Sequence, residues 1–162
     1  MTDNRYAPPT AKVSDVVSAG AAPAMWNPNA AANWSLLFTP AFGAWLHMKN
    51  WQALEEPAKA AASKRWVIVN LVLIVGSAML TSMVPEMRAL DGLSRLIGIV
   101  LLLSWYFSSG RGQAEYVKSH FGQVYERRGW GKPLLFALLA LIGFIVVVAV
   151  IRILASSIQG RA

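Results

Sequence analysis

Ionisable side chains set inside otherwise uncharged apolar runs are where this chain could do chemistry. Three qualify: Asp91, Arg95 and Arg152. A charge in hydrocarbon costs up to about 3 kcal/mol on insertion scales, so it persists only with a partner or a task. Asp91 and Arg95 are four positions apart, which places them on one helix face within pairing distance. As a functional set, the three would form an outer polar vestibule for an anion or a protein partner. As plain structure, they are an i,i+4 pair and an arginine that snorkels to the lipid boundary. The sequence favours the plainer reading.

No other spacing matches a reactive site. There is no cysteine, which excludes thiolate nucleophiles, disulfides and Cys-type metal sites. His47 and His120 stand far apart, and neither belongs to a ligand-spaced pair. His47 lies one turn from Asn50 and Trp51, as a structural histidine at headgroup level does. There is no Ser-His-Asp set, no Gly-rich phosphate loop and no carboxylate pair in an apolar setting. The expectation is a non-enzymatic protein with no cofactor and no bound metal.

The elements that would position these residues are membrane helices. Residues 66–84 (WVIVNLVLIVGSAMLTSMV) and 133–151 (PLLFALLALIGFIVVVAVI) carry almost no charge. At 1.5 Å per residue, each run matches a hydrocarbon core of about 30 Å. No water satisfies the backbone there, so each run must be a helix. A third span, 90–109, includes Asp91, Gly92 and Arg95 near one end. It is joined to the first by the short linker 85–89, with Pro85 closing the helix before it. The last span is placed at 133–154.

Residues 33–54 (NWSLLFTPAFGAWLHMKNWQAL) leave two readings open. The stretch 30–48 is long enough to span and has no formal charge. It is interrupted by Thr39-Pro40, a helix-start signature with Thr as N-cap and Pro in the first turn. The interrupted reading gives a short turn at 34–38 and an interfacial or re-entrant helix from Pro40 to about Leu54. The uninterrupted reading gives a fourth span. Glu55-Glu56-Pro57 restarts a helix that runs directly into the first span. Asn33-Trp34-Ser35 fits a glycosylation acceptor but abuts the membrane element, and it is set aside.

Residues 1–28, rich in Ala and Pro, are expected to be a disordered tail without the charged and apolar regions of a secretory signal. The stretch 111–128 is expected to be a short amphipathic helix on the membrane surface or on the Trp-rich element. Its apolar face is Ala114, Val117, Phe121 and Val124, with Glu115, Lys118, Glu126 and Arg127 on other faces. Trp34, Trp45, Trp51, Trp66 and Trp130 are expected to anchor the chain at headgroup level. Ser77 with Thr81, and Ser104 with Ser108, have the small-xxx-small spacing of a helix-packing seam, within the monomer or with a partner.

Composition agrees with the membrane reading. The chain is 56% hydrophobic and 14% charged, against about 25% charged in soluble domains. Its net charge is +7. No basic helix or aromatic sheet motif stands apart from the spans, so the charge points to anionic lipid rather than nucleic acid. Lys and Arg concentrate in 49–65 and 111–132, while the linker 85–89 holds only Arg88. The positive-inside rule then makes both basic segments cytoplasmic and the C-terminus periplasmic.

The strings WNPNAA from Trp26, WSLLFTPAFG from Trp34, NWQAL from Asn50 and GWGKPL from Gly129 resemble a group of small proteobacterial inner-membrane proteins. The resemblance covers about residues 26–135. It implies a multi-pass protein of the bacterial inner membrane and carries no activity or site residue with it. The expected fold is all-α: three transmembrane helices with the Trp-rich interfacial or re-entrant helix, or a fourth span. The expected function is protein binding, as an accessory or scaffold subunit or homo-oligomer. The alternatives are an immunity protein against a membrane-acting toxin, which needs only a complementary surface, and a small oligomeric channel or transporter.

Overall fold

The structure is a computed structural model that describes the backbone of residues 22–83 and 88–159 and the side chains of 22–81 and 92–157. The protein is an all-α multi-pass membrane protein. Its helices are α1 (Pro28–Leu37), α2 (Pro40–Ala53), α3 (Pro57–Met83), α4 (Arg88–Trp105), α5 (Arg111–Phe121) and α6 (Gly131–Gln159). Among the described residues, three stretches are long and apolar enough to cross a bilayer: Pro57–Thr81, Gly92–Phe121 and Gly131–Ser157.

The stretch 30–48 is not a fourth span. It folds as a hairpin of α1 and α2, broken at Phe38-Thr39. Arms of 10 and 14 residues reach only about 15 and 21 Å. Thr39 is extended and its side chain accepts from Phe42 N (3.4 Å), with Pro40 opening α2. Both open ends of the hairpin lie together, since Trp26 is bonded to Asn50 and Pro28 to His47.

Three expectations are corrected. Residues 22–28 are not disordered: Met25 is fully buried, and its backbone bonds Glu126 O (3.1 Å) and Arg128 N (3.0 Å). The turn expected at 34–38 is helical through Leu37. Asn27 accepts from Asn29 N (3.0 Å) and Ala30 N (3.3 Å), so Pro28 starts a helix instead of preventing one. The helix expected over 111–128 stops at Phe121, where Gly122 turns to φ 60. It is not a separate surface element but the continuation of α4.

That continuation passes through one π turn, Tyr106–Gly110, closed by Arg111 N–H to Tyr106 O. The turn resets the helix phase. In a regular α-helix, Trp105 and Gln113 would point about 80° apart, at about 100° per residue. One extra residue in the turn brings them to within about 20° of each other. Both therefore face α2, and both are fully buried.

The core sits at one end of the bundle. Ala31, Phe42, Leu46 and Ala137 are buried there, ringed by Trp26, Trp34, Phe38, Trp45, Trp130 and Leu134. The aromatic rings touch in series, with Trp34 against Trp130 (6.3 Å) and Trp45 stacked on Phe136 (5.6 Å). Gly43 lets α2 approach this closely. A Cβ there would collide with Ser35 Oγ and lie 2.6 Å from Trp105 Cη2. Outside this head the long helices are nearly bare: in each, only 6% of the 18-residue apolar segment long enough to cross a bilayer is buried within the protein.

Candidate functional site

The best-built polar feature is a clamp of buried amides that the residue patterns alone did not disclose. Asn50 and Gln113 are both fully buried. Asn50 Oδ1 accepts from Trp26 N (3.0 Å), and Asn50 Nδ2 donates to Trp26 O (2.7 Å) and to Gln113 Oε1 (3.1 Å). Gln113 Nε2 donates to His47 O (2.9 Å). One side chain thus takes both main-chain groups of Trp26, as a neighbouring strand would, and ties α2 to α5. The sequence signals were weak: Gln113 lies on the apolar stripe of α5 four positions before Val117, and Asn50 lies one turn after Leu46.

His47 completes this layer. Its Nε2 lies 3.1 Å from Pro28 O, so that nitrogen carries the proton and donates. Its ring packs edge-on against Trp105 at 5.3 Å. Nδ1 is buried with no hydrogen-bond partner among the described residues. A second proton would place a cation in this apolar setting, and burial pushes the pKa down to about 4. Burial thus favours the neutral ring.

A second cluster joins α2, α3 and α5. Trp51 is nearly buried and meets Tyr116 edge-on at 5.0 Å. Lys59 Nζ lies over both rings, at 4.8 and 4.1 Å, and bonds Glu56 at 3.1 Å. Tyr116 OH donates to the same carboxylate at 3.2 Å. Lys59 and the phenol together hold the Glu56 carboxyl below its ordinary range. The two basic segments, 49–65 and 111–132, therefore meet at the same end of the bundle.

An open cleft of about 550 Å³ lies on this end, between the start of α1, the outer face of α5 and the loop that follows. Arg111, Lys118 and Arg127 line it, with Glu115 as the one carboxylate. Arg111 Nε bonds Glu115 at 2.6 Å.

The residues singled out by type are placed as follows. Arg95 and Arg152 are exposed on α4 and α6, and neither takes part in an ion pair among the described residues. The side chain of Asp91 lies outside the described residues. Ser77, Thr81 and Ser108 bond carbonyls of their own helices, at 3.0, 3.1 and 2.5 Å, and Ser104 is exposed. Trp34, Trp45 and Trp130 pack in the head's aromatic cluster, Trp51 lies in the second cluster, and Trp66 is half-buried. Comparison with known proteins brings no match: no family model, curated protein or solved structure aligns with the chain.

Proposed function

We propose that this is a non-enzymatic protein of the bacterial inner membrane that acts by binding, as an accessory or scaffold subunit, with its basic head in the cytoplasm. The observation that supports this most is how the head is built. A backbone strap, the helical hairpin and α5 are keyed together through buried amides, while ring and cation–π contacts hold the near ends of α3 and α6. Its outer surface carries exposed Lys64, Arg65, Lys118, Arg127 and Lys132. A rigid head loses little freedom on docking, and its charge steers and selects a complementary partner. Retention of Lys and Arg on the cytoplasmic side gives the orientation.

Site-specific photo-crosslinking in living cells tests the reading. A photoreactive residue in place of Lys64 or Lys132 is expected to give one discrete protein adduct. The same residue in place of Leu139, which is 59% exposed on α6, is expected to give lipid adducts. Lipid adducts alone from all three positions would overturn the proposal.

A further inference from the structure

We infer that the cleft on the basic head is a binding site for an anionic phosphate ester, supplied as the headgroup of an acidic phospholipid from the adjoining leaflet. This does not depend on a protein partner.

Charge comes first. Three cations line the cleft against one carboxylate, and that carboxylate is already engaged by Arg111. Lys118 and Arg127 come from two different segments, α5 and the following loop, and converge on one concavity. Neither takes part in an ion pair among the described residues. A phosphodiester satisfies both, as cation donors engage phosphate oxygens through charge-assisted hydrogen bonds. Tyr106, Tyr125 and Asn29 line the same space and supply neutral donors for the ester and alcohol oxygens.

Depth selects a lipid source. The cleft begins at Tyr106, directly after α4 ends at Trp105. Arg111 lies about 6 Å further along the helix, because the extra residue of the π turn adds little rise. That equals about one headgroup layer, the zone between a hydrocarbon core of about 30 Å and a full bilayer of about 40–45 Å. Around the mouth, Leu103 and Phe107 are 48% and 65% exposed, so acyl chains would lie on apolar side chains while the phosphate reaches the cations.

The site is also pre-formed. Asn27 caps α1, Pro28 O is held by His47, and the Gln113 clamp fixes α5 against the hairpin. Binding therefore requires no ordering of the cleft walls.

The test is lipid retention by the full chain in nanodiscs containing phosphatidylglycerol in an excess of phosphatidylcholine, read by native mass spectrometry. Selective retention of phosphatidylglycerol is expected. The double variant Lys118→Gln/Arg127→Gln should lower it on the order of tenfold or more, from about 1 kcal/mol per cation near a lipid surface. Lys49→Gln, in the other basic segment and outside the cleft, should leave it unchanged. Ala114→Phe fills the cleft without changing charge and should also abolish selectivity, with thermal unfolding confirming that the variant is folded. Equal loss in Lys49→Gln, or full selectivity in folded Ala114→Phe, would mean diffuse surface electrostatics and would overturn the site. Displacement of the lipid by inorganic phosphate would overturn the lipid source.

Discussion

Replacing Asn50 by alanine should release the strap from the head. The side chain makes three hydrogen bonds, two to the Trp26 backbone and one to Gln113, at 3.0, 2.7 and 3.1 Å. Alanine leaves Trp26 N, Trp26 O and Gln113 Oε1 without these partners. A buried polar group stripped of its bond costs about 1–3 kcal/mol. Trp26 is only half-buried, so water recovers part of the loss, and the total is about 3 kcal/mol. The strap pairs with the Arg127–Arg128 backbone, so its opening exposes a tryptic site. If cleavage follows the open population, about 3 kcal/mol accelerates it on the order of 100-fold. Gln113→Ala should give a smaller acceleration. The double variant should fall short of the two effects combined, because both single changes break the shared Asn50–Gln113 bond. The measurement is the trypsin cleavage rate at Arg127–Arg128 in mild detergent. A rate within about twofold of the parent chain for Asn50→Ala, or strict additivity with Gln113→Ala, would refute the clamp.

Gly43→Ala should destabilise the head by about 1–3 kcal/mol through overpacking against Trp105, read as a lower midpoint in thermal unfolding followed by Trp fluorescence; an unchanged midpoint would contradict the close approach of α2. Stability should fall with pH because of His47, whose folded pKa of about 4 lies below its ordinary 6.5: the unfolded chain binds the proton first, so stability is intact above about 6.5 and declines down to about 4. The full loss is about 3 kcal/mol, and a His47→Gln variant should lack this slope in denaturant titrations across that range. Deleting Ser108 should turn the π turn into a regular α turn with Trp105 and Gln113 still in phase, whereas inserting an alanine after Ser108 swings Gln113 about 100° further. Trypsin should therefore spare the deletion variant and cut the insertion variant as it cuts Asn50→Ala. A reporter active only in the periplasm, fused after Ala162, should be active; activity from a cytoplasm-only reporter there would reverse the proposed orientation.

The long helices were legible because an uncharged run of bilayer length has only one backbone solution. Thr39-Pro40 and Glu55-Glu56-Pro57 were legible because capping is local chemistry, and α2 and α3 start there. Asn27-Pro28 follows the same rule, but the surrounding Ala and Pro composition points to a tail and outweighs it. The helix depends on Met25 and Trp26 being held by residues far along the chain. The π turn has no residue signature, and it decides where Gln113 points. The Asn50–Gln113 contact joins positions 63 apart, a distance over which periodicity carries no information. The tryptophans carry a different ambiguity. A ring favoured at the headgroup level is equally favoured against other rings, and sequence does not separate a lipid neighbour from a protein one.

The head and the spans contribute unequally to the arrangement of the chain. In lipid, apolar helices gain no hydrophobic free energy by associating, so their packing rests on close contact and interhelical hydrogen bonds. Here the spans are almost bare, and the hydroxyls of Ser77, Thr81 and Ser108 are turned back onto their own helices. The head is where buried amides, stacked rings and the cation–π cluster act together. It holds α3 through Trp51 and Lys59, α5 through Gln113, and α6 through Trp45 and Phe136. The relative placement of the three spans therefore rests most heavily on one end, with α3 also touching α4 and α6. A ligand in the cleft touches α1 and α5 directly and so bears on the joint that sets that placement. The same joint carries the basic surface proposed for docking, which makes headgroup binding and partner binding candidates for coupling through α1 and the Asn50–Gln113 pair.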